Sequence, residues 1–196
     1  MSYNYSFNKS IIKLNSSFKR NRVSYNSISL NINWRKLPIL LDKLYDKDFN
    51  ISKAYINNND TTLFIKNFLC FEQMEYIDEI VEDAKNDDTI CGKNNIILPS
   101  NTEILLYNSP KTLKNRTILE FSCDDRIGLL SDMIELLSCF PFEINEAYIN
   151  TINDKYVNNI FLLQQNNKYL TNNEIEYISN IFEYEVKRKM EGTPLY

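Results

Sequence analysis

One short run brings together groups that could hold a charged small molecule. Asp124-Asp125-Arg126-Ile127-Gly128-Leu129 sets two carboxylates beside a guanidinium, with a glycine two positions on. Either aspartate can accept from an ammonium, and Arg126 can donate to a carboxylate, so the pair suits a zwitterion such as a free amino acid. A strand ending at Asp124 and feeding a helix near Ile127 adds unpaired backbone amides, whose partial positive charge favours an anion. Gly128, with no Cβ, lets a ligand or a neighbouring backbone approach that turn. Asn145, read as lying near the same end of the sheet, adds a side-chain amide. Each residue also has a plain structural reading. Asp125 can serve simply as the helix N-cap, Gly128 as a close-packing residue, Arg126 as a solvated charge and Asn145 as a strand terminus.

Much other chemistry is excluded. The 196 residues contain no histidine, which removes Ser-His-Asp and Cys-His nucleophile systems and the usual histidine-containing metal sites. Three glycines, at 92, 128 and 192, cannot build a dinucleotide turn or a phosphate loop. Cys70, Cys91, Cys123 and Cys139 form no CxxC pair and read as reduced, mostly buried residues. No metal ligand set, cofactor motif or activated nucleophile can be named, so catalysis is not expected. No apolar run reaches the length of a membrane span.

The first 41 positions carry seven basic residues and no acidic one, against 15 basic and 26 acidic in the remainder. Residues 1–21 are also rich in Ser and Asn, the pattern of an organelle transit segment, with a disordered basic tail as the other reading. The expected location is an organelle, or the cytoplasm on the second reading.

The elements that must position the charged run are legible because the chain repeats itself. Ile51-Ser52-Lys53-Ala54-Tyr55-Ile56-Asn57 returns 93 positions later as Ile144-Asn145-Glu146-Ala147-Tyr148-Ile149-Asn150. The same offset aligns Leu37 with Leu130, Leu44 with Leu137 and Phe49 with Phe142. In the second copy, Thr117 to Cys123 alternates as a half-buried strand, and Ile127, Leu130, Ile134 and Leu137 keep a helical stripe up to Pro141. Strands over 142–153 and 156–165 and a helix over 173–189 follow. The first copy gives a strand over 23–32, a helix over 34–47, strands over 51–57 and 61–72, and a helix over 73–85. Residues 86–100 read as a loop and 102–107 as a short strand that could join either unit. Trp34 reads as a core anchor, and Tyr55 and Tyr148 as packing at equivalent places in two sheets. The order describes an α+β plait.

Asp125-Arg126-Ile127-Gly128-Leu129-Leu130 after Thr117-Ile118-Leu119-Glu120-Phe121 resembles the DRPGLL signature that opens the first helix of ACT domains. Ile144-Asn145-Glu146-Ala147-Tyr148-Ile149-Asn150-Thr151 is similar to the family's second strand, and Asn159-Ile160-Phe161 to its third. The likeness covers residues 116 to about 188. The first unit matches more weakly: Arg35 stands where the offset predicts the glycine. The whole resembles tandem ACT proteins of the ACT-domain-repeat type, including plastid ones, with a distant likeness to the sensor region of nitrogen-sensing uridylyltransferases.

The resemblance implies two ferredoxin-like βαββαβ units, antiparallel sheets with helices on one face, over 22–108 and 116–196 after the 1–21 tail. It implies a non-catalytic regulator without cofactor, binding an amino acid, glutamine among the candidates, through Asp124, Asp125, Arg126, Ile127, Gly128, Leu129 and Asn145. The partner would be an enzyme of amino-acid or nitrogen metabolism, and the state a homodimer. A ligand-free interaction module is the competing reading. Nucleic-acid binding is not expected, because the third strands carry no basic-Gly-aromatic platform and the body is acidic.

Overall fold

The computed structural model describes residues 2–7, 10–15, 26–66, 71–87, 96, 98–109, 116–152 and 155–190. The linker around 88–95, the turn at Asn153-Asp154, Cys70 and Cys91, and the segment after Met190 lie outside these. A hairpin of β1 (Ser2–Phe7) and β2 (Ser10–Asn15) opens the described chain, with β2 beside the next strand. These two strands lie within the segment expected to be a tail, and sequence reasoning did not anticipate them.

The first repeat follows as β3 (Asn26–Asn31), a 3-10 turn at Trp34–Lys36, α1 (Leu37–Tyr45), β4 (Ile51–Asn57), β5 (Asp60–Ile65) and α2 (Phe71–Asn86). After β6 (Glu103–Asn108) comes the second, as β7 (Thr117–Asp124), α3 (Leu129–Ser138), β8 (Glu143–Ile152), β9 (Tyr156–Gln164) and α4 (Asn172–Met190). The fold is α+β. Alternation along the strands sends Ile28, Leu30, Ala54, Ile56, Leu63, Leu119, Phe121, Ala147 and Phe161 into one continuous core, with Leu40, Leu41, Ile77, Ile80, Leu130, Ile134, Ile178 and Phe182 of the helices against them.

Where a separate sheet was expected for each repeat, the two repeats share one, and β1 and β2 form a two-stranded sheet of their own. Seven antiparallel strands run in the order β3-β5-β4-β8-β9-β7-β6. The two repeats meet at β4 and β8, which pair antiparallel with Tyr55 opposite Tyr148, Ala54 opposite Ile149 and Ile56 opposite Ala147. Tyr55 and Tyr148 are themselves equivalent across the 93-residue offset, so the seam is a pseudo-twofold contact centred on them. Their rings touch at 5.2 Å between centroids, within one sheet rather than at matching places in two. On the helix side the same axis passes between α1 and α3, where buried Ser131 donates to the carbonyl of Pro38, its own repeat equivalent, at 3.2 Å. Helix α3, at the middle of the layer, is buried along its whole length.

Strand β6 pairs with β7. It therefore lies at the sheet edge beside the first strand of the second half, although the sequence division counted it with residues 22–108. Thr117 fastens this corner: its hydroxyl donates to Asn108 at 2.7 Å and accepts from the Leu170 amide at 2.8 Å.

Candidate functional site

The loop between β7 and α3 differs from its expected geometry at the helix start. Helix α3 begins at Leu129, and Gly128, not Asp125, occupies the N-cap with φ of +78° and no side-chain cap. That left-handed backbone is the reason for glycine here. A Cβ would meet only the Arg126 Nη1 at 3.6 Å, an ordinary contact, so neither crowding nor tight helix–strand packing excludes a side chain. The Asp125 amide donates to the Lys155 carbonyl at 2.8 Å, tying the loop to the start of β9.

Arg126 turns back over α3. Its guanidinium pairs with the buried carboxylate of Asp132 and donates to the Ile127 carbonyl at 2.9 Å. An N-terminal carboxylate and a guanidinium thus offset one another at the start of the helix. Ile127 projects into solvent, 81% exposed, while Leu129 and Leu130 enter the core. Asp124 is exposed at the strand end, with its amide 3.4 Å from the Asn101 Oδ1.

This loop forms one wall of a cavity of about 420 Å³ at the junction of the two halves. Asp125, Arg126, Ile127, Leu129 and Leu130 line it, with Ile149, Thr151, Val157 and Asn159 from β8 and β9. The opposite wall comes from the first half: Tyr45, Asp48, Phe49, Asn50 and Ile51, at the C-terminal end of α1 and the start of β4. Burial, then the carboxylates of Asp125 and Asp42, push the Tyr45 hydroxyl above its ordinary range. Asn159 is buried; its Oδ1 accepts from the Asn150 amide at 3.1 Å. The walls thus combine two acids, a base, neutral polar groups and an apolar floor, which suits a small amphipathic ligand carrying both charges.

Of the residues named from sequence, the structure brings Asp125, Arg126, Ile127 and Leu129 to the cavity, with Gly128 shaping the turn and Asp124 just outside the lining. Asn145 does not join them. Strands β7 and β8 both pair antiparallel with β9 and so run parallel, which puts the start of β8 at the opposite end of the sheet from the β7–α3 loop. Six residues separate Asn145 from Thr151, roughly 20 Å along a strand. Asn145 instead faces the β4–β5 turn: its carbonyl accepts from the Asn58 amide at 2.9 Å, and its buried Oδ1 has no hydrogen-bond partner. Sequence reasoning missed Tyr45, Asp48 and Asn159. The internal repeat was the available signal, since a pseudo-twofold seam brings the end of the first helix to the second half's loop.

Among the described residues no group of three acidic or cysteine side chains could hold a metal ion, and no helix is long and apolar enough to cross a membrane. Of the four cysteines read as mostly buried, Cys123 is buried and Cys139 exposed, and burial pushes the Cys123 thiol up to about 11. No protein-family model, curated protein or solved structure matches the chain.

Proposed function

We propose that the chain is a non-catalytic regulatory protein of two ACT-type units that takes a free amino acid in the cavity between its halves. The observation that carries this is the composition of the cavity: acids and a base on walls contributed by both repeats, over an apolar floor. A ligand that bridges the halves favours the one arrangement in which both walls reach it, and shifts the population of arrangements by its differential affinity. The bound state would be read by an enzyme of amino-acid or nitrogen metabolism. Glutamine is the first ligand to try, because the donors and acceptors of Tyr45, Asn50 and Asn159 suit a side-chain amide. Plastid import, suggested by the basic Ser-rich N-terminus, is tested by following a fluorescent fusion.

The test is calorimetry of the purified chain against each of the twenty amino acids. Binding of one of them in the wild type, weakened at least tenfold by Asp125→Asn, is expected. No heat and no rise in melting temperature with any amino acid overturns the sensor reading.

A specific observation favours a ligand-free interaction module as the second reading. The sheet face away from the helices carries Leu105, Tyr107, Tyr148, Ile152 and Tyr156, all exposed, and Leu105 is 60% accessible. Such a face suits contact with another protein or a second copy of the chain. Sedimentation of the wild type beside Leu105→Asp/Tyr148→Asp discriminates: a module that pairs through this face loses its self-association, and a monomeric wild type removes the homodimer.

A further inference from the structure

The pseudo-twofold axis that makes one cavity between the halves should make two. At the counterpart position the 93-residue offset replaces Ile127 by Trp34 and Gly128 by Arg35, and the wall becomes the C-terminal end of α3 in place of that of α1. There the space is filled. Trp34 is 2% exposed, and its Nε1 donates to the Glu143 Oε2 at 2.9 Å. The Arg35 guanidinium lies 4.4 Å from the indole centroid and donates to the carbonyls of Ser138 at 2.6 Å and Phe142 at 2.7 Å. It also reaches the Phe140 carbonyl at 3.3 Å and the Glu143 Oε1 at 3.4 Å.

We propose that the Trp34–Arg35 turn is a built-in occupant of the second of two pseudo-equivalent inter-half sites, leaving the cavity beside Asp125 as the one open to ligand. At the open cavity Ile127 is largely exposed and Gly128 carries no side chain, where the first half presents a buried indole and a guanidinium. The guanidinium binds at the negative end of the α3 dipole, so the occupant is held as a cation, by backbone oxygens and a carboxylate. The class of molecule the emptied site would accept follows from its present tenant: a planar cation, and beside it an aromatic group. The consequence for signalling, one amino acid per chain, rests on the reading under Proposed function. The occupancy itself does not.

The experiment empties the site and refills it with fragments. Full-length Trp34→Gly/Arg35→Gly protein is melted with and without indole and methylguanidinium at low millimolar concentration, beside the wild type. The double variant is expected to lose several degrees of melting temperature and to regain part of them with both fragments together, a gain the wild type does not show. Should the double variant fail to fold, Arg35→Gly alone, which keeps the indole in place, decides by its response to methylguanidinium. A variant as stable as the wild type, or a gain equal in both proteins, overturns the proposal, as does Arg35→Gly protein that methylguanidinium leaves unchanged. Failure of every amino acid to bind the wild type would remove the sensor reading and leave the fragment result standing.

Discussion

Replacing Gly128 separates a backbone requirement from a ligand requirement at the same position. With φ at +78°, an alanine there costs about 1–2 kcal/mol for the left-handed conformation. Reduced freedom of the unfolded chain returns about 0.4–1 kcal/mol. Packing contributes nothing further, because the new Cβ meets only the flexible end of Arg126 at 3.6 Å. The net loss is about 1 kcal/mol, or about 2–4 °C in melting temperature for a chain of this size. Gly128→Asn should come within a degree or so of wild type, since asparagine tolerates this region; the described non-glycine residues with positive φ are Asp48, Asn58, Asn166 and Asn167. Gly128→Val should lose the most. Urea denaturation of the three variants at one protein concentration measures the series. Alanine as stable as glycine, or asparagine as damaging as valine, would refute the backbone account. If calorimetry finds an amino acid that binds the wild type, and Gly128→Asn folds normally yet does not bind it, the missing side chain also serves ligand access.

Three other outcomes follow from the geometry. A double-mutant cycle of Tyr55→Ala and Tyr148→Ala should give a coupling of about 0.5–1.5 kcal/mol by denaturation, and zero coupling would mean the rings do not hold the seam. Thr171→Ala should cost about 1 kcal/mol and raise hydrogen exchange in the first turn of α4, because Thr171 and Glu174 cap each other, the Thr171 amide donating to the Glu174 carboxylate at 2.6 Å. The Arg116 guanidinium, bonded at 2.8 Å, holds the Glu146 carboxyl below its ordinary value. A depressed folded-state pKa contributes stability above the unfolded value and loses it as pH falls through the folded one. The stability gap between wild type and Arg116→Ala should therefore be full at neutral pH and close on acidification below about pH 4.

Periodicity and the repeat made the α+β order legible, down to Ile51–Asn57 and to within one residue at both ends of β7, β8, β9 and α4. What escaped depended on contacts distant in sequence. Nothing local in Glu103–Asn108 says whether it pairs with the half before it or after it; β7 decides that. Asn145 was misplaced because nearness along the chain to the β7–α3 loop says nothing about which end of a strand it occupies. Gly128 was found, but its positive φ, and so the later start of α3, is a backbone property that composition does not reveal. Trp34 was correctly expected in the core, whereas its partner Arg35 looked like a lost glycine and proved to reach across to the end of α3.

Placing both sides of the β4–β8 seam in one polypeptide changes how it responds to dilution and to mutation. In a homodimer such a contact weakens as protein becomes scarce, and every substitution near the axis appears twice. Here the halves meet at a fixed local concentration, of millimolar order for short tethers, so any signal carried across the seam is independent of how much protein is present. Each genetic change is also written once, and one side of the axis can carry Trp34 and Arg35 while the other keeps a glycine.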